Sequence, residues 1–440
     1  GAIGAAGKPV ILTAAGKAAP IVESSSSAGT PVVYETANAD HTRATFDTNS
    51  NKAVIIYRDA GNSEHGTAVV ATVSGTAISY GTPVVFEAAE SAHFGIAFDS
   101  NSNKVVISFR DAGNSNYGTA IVGTVSGTSI SFGTAVVFNS ANTYYMGATF
   151  DSSNNKVVIA YADAGSAGAM TSIVGTVSGT SISFGTEVEF DSATTSKAPA
   201  VTFDSSANKV VIAWQDAGVS NNGYGIVGTV SGTAISFGTK VVFEAAATYS
   251  PAATFDSDSN KVVIAYQDGG NSSYGTAIVG TVSGTAISFG TAVVFEAAST
   301  PWVSAAFDSN SNKTVIAYQD GGNSNYGTAI DGTVSGTAIS FSTALVFETS
   351  DTKETASVFD SNSNKVVIAY EDVGNSNYGT GVVYTTGSTN LTATNFIGIS
   401  DAAILDTASG NVTIKGGIAA TGLTSLTPGS DYYAQDDGTI

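Results

Sequence analysis

The 440-residue chain contains no cysteine, and only 3 histidines, 2 methionines and 2 tryptophans. Without thiols there is no disulfide and no thiolate metal site, and cysteine usage leaves the redox compartment open. Basic residues are scarce: 16 Lys and Arg stand against 36 Asp and Glu, a formal net charge of −20. Such a surface repels nucleic acid and anionic membranes and favours solubility. No apolar run approaches the ~18 residues that cross a bilayer as a helix, so no membrane insertion is expected. A 3.6-residue apolar period is also missing, which excludes helical solenoids. Neither an initiating Met nor a secretion signal opens the chain at Gly1, and it stops at Asp436-Asp437-Gly438-Thr439-Ile440. The expectation is a processed or truncated piece of a longer protein.

What the chain does have is a repeat. Phe-Asp pairs begin at Phe46, Phe98, Phe150, Phe203, Phe255, Phe307 and Phe359, with spacings of 52, 52, 53, 52, 52 and 52. Within the copy that starts at Phe255, Lys261 to Gln267, Thr276 to Val282 and Ala286 to Glu296 are rich in β-branched and aromatic residues. Turn-forming clusters of Asp, Ser, Asn and Gly separate them. A short run, about Ala252 to Phe255, precedes them. Each unit therefore reads as four strands: a (ending at Phe-Asp), b (Lys-Val-Val-Ile-Ala-Tyr), c and d. A Gly-Thr inside d marks a bulge or bend. Four-stranded units at this period predict an all-β, seven-bladed β-propeller over residues 27–386.

The seventh repeat has a, b and c but lacks d. Ser27-Ala28-Gly29-Thr30-Pro31-Val32-Val33-Tyr34-Glu35 supplies the missing text, because it matches residues 79–87, and Tyr34 precedes Phe46 by the same 12 residues that separate Phe86 from Phe98. The strand at 30–35 is expected to pair with 379–385, so that the ring is closed by an N-terminal strand and has no open edge. Residues 1–26 are left as a linker or the end of a preceding module, and 387–440 as a small β-rich module.

The a–b and c–d turns are nearly constant, whereas the segment between d and a differs in every copy. Variation on a rigid scaffold points to binding, against the alternative of drift in exposed loops. This face is expected to carry Trp302, Tyr144, Tyr145, His93, Phe94 and Tyr249 as binding residues, with Met146, Lys197 and Lys353 beside them; aromatic side chains are favoured anchors. The turn at Asp256, Asp258 and Asn260 matches the opening of a calcium loop but lacks its sixth-position Gly and closing Glu, so an ordinary Asx turn is expected and no metal. The acid that ends strand b (Asp59 and its counterparts) reads as structural, holding the Gly-rich loop after it. His41, His65 and His93 read as scattered surface-loop residues, against a His-based metal site. No arginine cluster is evident, the Ser-x-Asp-x-Gly-x-x-Trp box of sialidases is missing, and no pair of acids suggests a glycosidase, so no catalytic residue, no enzyme and no cofactor are expected.

From Gly387 the text changes. Asn395-Phe396-Ile397-Gly398, Gly422-Leu423-Thr424, Thr427-Pro428-Gly429-Ser430-Asp431-Tyr432-Tyr433 and Asp437-Gly438-Thr439 resemble the small β modules of tail-fibre and virion structural proteins of tailed phages, notably those of marine and cyanobacterial hosts. The resemblance spans about 50 residues. It implies attachment and virion architecture rather than catalysis, and it carries over no functional residue. The expected function is a non-catalytic virion-surface or tail-fibre protein that recognises a host feature. Its partners would be other virion proteins, a host-surface glycan or protein, or further copies through the flanking modules. A cellular surface adhesin or lectin is the alternative, followed by a polysaccharide-acting enzyme.

Overall fold

The computed structural model describes residues 9–13, 18–192, 197–389, 396–400 and 412–413. They fall into two compact units, Ser27–Thr386 and Gly1–Ser26 with Gly387–Ile440. In the smaller unit Pro9–Leu12 pairs with Ala18–Pro20 and with Phe396–Ser400, which also pairs with Val412–Thr413; Glu23–Ser24 pairs with Ser388–Thr389. The remainder of the C-terminal module lies outside the described residues.

The larger unit is built from antiparallel sheets, one per repeat. In sheet 1, strand b (Lys52–Asp59) lies between the end of Val32–Asp47 and His65–Ser74; the latter pairs outward with Ala77–Tyr80 and the start of Val84–Asp99. The same order surrounds Lys104–Asp111, Lys156–Asp163, Lys209–Asp216, Lys261–Asp268, Lys313–Asp320 and Lys365–Asp372, the b strands of sheets 2 to 7. Strand b is apolar on both faces because both faces are covered. Ile55 and Tyr57 pack against Val367 and Ala369 of sheet 7, while Val54 and Ile56 pack against Val105 and Ile107 of sheet 2. An alternating pattern would leave one face wet; the continuous apolar run is what a doubly buried strand needs.

The variable segment between d and a is not a loop. Val32–Asp47, Val84–Asp99, Val136–Asp151, Val241–Asp256 and Leu345–Asp360 are unbroken strands that leave one sheet as d and enter the next as a. The d strand predicted as one piece is instead two, Ala286–Phe289 and Val293–Ser299 in the fifth copy. Gly290 lies at the break, where its N–H donates to the Val279 carbonyl. A methyl group on Gly290 would run into the carbonyl oxygen of Thr337 in the next sheet, and Gly29, Gly81, Gly133, Gly185 and Gly238 abut Thr76, Thr128, Thr180, Thr233 and Thr285 in the same way. The seventh counterpart is Ser342, a residue with a side chain; it faces the last repeat, which has no Ser-Gly-Thr hairpin to collide with. Gly81→Ala is therefore expected to cost about 1–3 kcal/mol as overpacking against a backbone that cannot yield, and Ser342→Ala under about 0.5 kcal/mol. Denaturant titration of the two variants checks both.

The turns behave as ordinary turn chemistry. Asp256 Oδ1 accepts the N–H groups of Asp258 and Ser259 at 2.9 and 3.0 Å, and Asn260 completes the turn at φ 55°. Among the described residues no three His, Cys, Asp or Glu side chains are placed to hold a metal ion. Asp59 caps the 3-10 turn that follows strand b by accepting the Asn62 N–H at 3.1 Å, and each counterpart accepts a backbone N–H two or three residues on.

Where the last repeat meets the first, Gly381, Thr380 and Gly379 pair with Val32, Val33 and Glu35. This is the register in which Ala68, Thr67 and Gly66 pair with Val84, Val85 and Glu87. Departures from the repeat occur here and between sheets 6 and 7. Tyr80, which replaces the usual Phe, sets its hydroxyl over Gly381, at a position where four of the seven repeats have Ala. Tyr384, which replaces a small residue, donates to the buried carboxylate of Asp331 at 2.7 Å, the residue that replaces Val in strand c of sheet 6. The oddity of Asp331 in the sequence is thus explained by a partner 53 residues away.

Candidate functional site

At the point where each long strand passes between sheets, two residues face one on strand b. Tyr57 faces His41 and Thr42, Phe109 faces His93 and Phe94, Tyr161 faces Tyr145 and Met146, and Tyr370 faces Glu354 and Thr355, as the register shifts record. These are β-bulges. The first residue of each has a left-handed backbone: φ is 53° at His41, 56° at His93, 48° at Tyr145, 52° at Ala198, 46° at Ser250, 57° at Trp302 and 52° at Glu354. In sheet 6 Pro301 has no N–H for the ladder, and the strand splits into Val293–Ser299 and Ser304–Asp308 with Trp302 between them. None of the seven is glycine, and bulky residues in this conformation are uncommon. Each such residue costs about 1–3 kcal/mol and persists only where its surroundings hold it. Here the second bulge residue does so: Thr42, Phe94, Met146, Val303 and Thr355 are all buried. Thr355 Oγ1 also donates to the Trp302 carbonyl.

The seven left-handed residues surround one cavity of about 590 Å³, with Arg43, Gly95, Gly147, Ala200, Ala252, Ser304 and Ala356 behind them. The residues behind are mostly small because the strands converge: a methyl group on Gly147 would strike the Pro199 carbonyl. The wall is uneven. His41, His93 and Tyr145 form an aromatic arc with successive ring centroids 5.3 and 5.0 Å apart, which Tyr144 extends outward at 5.5 Å from His93. Ala198 and Ser250 leave the next stretch of rim low. Trp302 stands beyond them, and Glu354 lies 3.9 Å from the Arg43 guanidinium. Burial holds His41 down to about 4 and His93 down to about 3, with the nearby arginines adding to the effect, so both imidazoles are neutral at pH 7. Burial raises the Glu354 carboxyl, with Arg43 opposing.

Outside the bulge, strand b contributes a second variable position. Arg58 holds Asp40 through two bonds of 2.6 and 2.5 Å and reaches Glu64 at 3.3 Å; Arg110 reaches Glu90 at 3.3 Å and lies 5.7 Å over the Tyr144 ring. Lys353 is paired across the strands with Glu371, whose carboxyl burial pushes up to about 7.

Of the residues singled out from the sequence, Trp302, Tyr145 and His93 present their side chains to the cavity, and Tyr144 lies against the same arc. Phe94 also borders the cavity but is 1% exposed, and its ring packs edge-on to Phe86 at 5.8 Å, because the residue after the left-handed one points into the core. Met146 is buried for the same reason. Tyr249 lies outside the cavity lining. Two of the three histidines are not scattered, since the His41 and His93 rings meet at 5.3 Å, tilted by 54°, and Arg43, Arg58 and Arg110 all act on His41. His41, Arg43, Arg58, Arg110 and Glu354 were missed as site residues. The available signal was the column itself: positions 41, 93, 145, 198, 250, 302 and 354 repeat at the Phe-Asp spacing and hold six different residue types.

The sequence matches no known family and no curated protein. Similar folds are found among solved structures. The BP39L lectin from Burkholderia pseudomallei has a TM-score of 0.60 at 11% identity, covering 81% of this chain and 99% of that one. A protein of unknown function from Dyadobacter fermentans has a TM-score of 0.50 at 9% identity, covering 83% and 99%. The SapL1 lectin, solved with alpha methyl fucoside, has a TM-score of 0.45 at 13% identity, covering 70% and 96%. The likeness is one of fold: an all-β chain of large antiparallel sheets whose structural neighbours include lectins.

Proposed function

We propose that residues 27–386 are a seven-bladed β-propeller, closed by strand Val32–Glu35 on the last blade, and that the chain is a non-catalytic recognition protein whose cavity takes a neutral pyranose. The observation that carries this reading is the set of seven left-handed positions around one cavity. The backbone is sevenfold, the side chains are not, and the strain is kept in every copy. A cavity of this size suits a small ligand, with apolar walls and a few convergent polar groups. The arc offers ring faces for the apolar face of a sugar. Arg43, Glu354 and the neutral imidazoles offer donors and acceptors for its hydroxyls, and Arg43 and Glu354 oppose one another in charge. Hydrolysis by the usual two-carboxylate route needs a second acid, and among the described residues Glu354 is the one carboxyl in the lining. The lectin fold-neighbour agrees with carbohydrate as the ligand class.

Screening the full chain on a glycan array tests the reading. Trp302→Ala and Tyr145→Ala are each expected to weaken binding about 5- to 30-fold with the melting temperature unchanged. Retention of full binding by both variants would remove the cavity as the site. Placement on a virion surface rests on the resemblance of the text from Gly387 onward. Peptides of this chain in purified phage particles would support it, and display on cells in their place would favour a cellular adhesin.

A further inference from the structure

We infer that the cavity continues over its rim at Ser250 into a second subsite on Tyr249, so that the ligand is an oligosaccharide rather than a single sugar. The inference rests on the recognition reading above. Among the described residues, Tyr249 is the one aromatic ring more than a third exposed, at 40%. It directly precedes Ser250, whose small side chain lines the cavity. The bulge aims Ser250 inward and leaves Tyr249 paired with Gln267 outside it.

The ring lies on a floor without a side chain. A methyl group on Gly269 would come within 2.8 Å of Tyr249 Cε2, and in four other repeats that position is Ala. The Gly269 N–H donates to the Ala247 carbonyl at 2.7 Å, which fixes the floor. Other residues in this outer position are engaged or short. Asp40 is clamped by Arg58, Ala92 has no reach, and Tyr144 is covered by Arg110. Among the described residues, only at Tyr249 does an apolar face stand open beside a low part of the rim, which is where a second ring leaving the cavity would rest. Aromatic platforms give such contacts area with little entropy to lose.

The test is calorimetric titration of the full chain with glucose, galactose and mannose, and with maltotriose, galactotriose and mannotriose. For whichever monosaccharide binds, its trisaccharide is expected to bind about 10-fold tighter or more, about 1.4 kcal/mol. Tyr249→Ala should remove most of that gain and leave the monosaccharide affinity within about 2-fold, whereas Trp302→Ala should weaken both. Ser250→Trp, a side chain this backbone accepts at 302, should also abolish the gain by raising the rim. Melting temperatures of all variants are expected to stay within about 2 °C of the parent. A parent that binds mono- and trisaccharide equally, or a Tyr249→Ala chain that keeps the gain, overturns the second subsite and leaves the cavity reading standing. A parent that binds none of the six overturns both.

Discussion

Removal of residues 1–36 is expected to unfold the 27–386 unit, while removal of 1–26 alone is expected to leave its melting temperature within about 2 °C. The strand Val32–Glu35 is the outer partner of Tyr378–Thr385. Without it, that strand presents a row of unpaired backbone groups to solvent, and an open edge also invites pairing with other chains. The side chains matter as much. Tyr34 is 7% exposed and packs against Tyr57 and Tyr80 at 5.2 and 5.5 Å. Glu35 accepts the Tyr57 hydroxyl at 3.0 Å, and losing it strands that hydroxyl in the core at a cost of about 1–3 kcal/mol. The point variant Tyr34→Ala in the full chain isolates the packing share. It is expected to cost about 3–5 kcal/mol, as buried aromatic truncations do, and to lower the melting temperature by about 4–7 °C. Circular dichroism melts of the three chains decide the matter. A 1–36 deletion that melts with the parent would show that the strand is an ornament and that the unit does not depend on it.

The all-β character and the strands b and c were legible because the same text is written seven times, so each of those assignments was supported by its copies. The pairing of 32–35 with 379–381 followed from register alone, since the text of the missing strand stood at the other end of the chain. What the sequence did not disclose is the bulge. A left-handed residue in a strand is normally announced by Gly, and none of His41, His93, Tyr145, Ala198, Ser250, Trp302 or Glu354 announces it. With the bulge invisible, the segment between d and a looked like a loop. Alternate residues could not be sorted into those that enter the cavity, such as His93, and those that enter the core, such as Phe94. The same blindness scattered the histidines: 41 and 93 are far apart in the text yet meet at 5.3 Å because neighbouring sheets bring the same column together. Covariation inside the chain was a usable signal. Asp331 and Tyr384 are paired departures one repeat away from one another in a molecule that otherwise copies itself.

Acid should cost this unit stability through those two histidines, and His93→Phe should relieve much of the loss. In the unfolded chain a histidine takes up its proton near 6.5. In the folded chain burial delays that step to about 4 at His41 and about 3 at His93. Between about pH 6.5 and pH 3 the unfolded state therefore binds more protons, and stability falls as pH falls through that window. Glu371 works in the opposite direction. Its folded carboxyl keeps its proton up to about 7, against 4.5 as the ordinary value, so stability falls as pH rises from 4.5 to 7. The melting curve of the parent reports the sum of the two trends, and each variant isolates one of them. Phe at 93 keeps an aromatic ring in the arc and suits a backbone conformation that Tyr145 and Trp302 already occupy. At pH 7 the variant is expected within about 1 kcal/mol of the parent. By pH 4 it is expected to be the more stable by about 2 kcal/mol, the full shift being discounted because the imidazole is half-buried and partly reached by water. Glu371→Gln should show the mirror image, its advantage over the parent growing from pH 4.5 to pH 7 and holding constant above. If the gap between His93→Phe and the parent does not change from pH 7 to pH 4, the imidazole takes up its proton freely in the folded state, and the aromatic arc is open to water rather than packed.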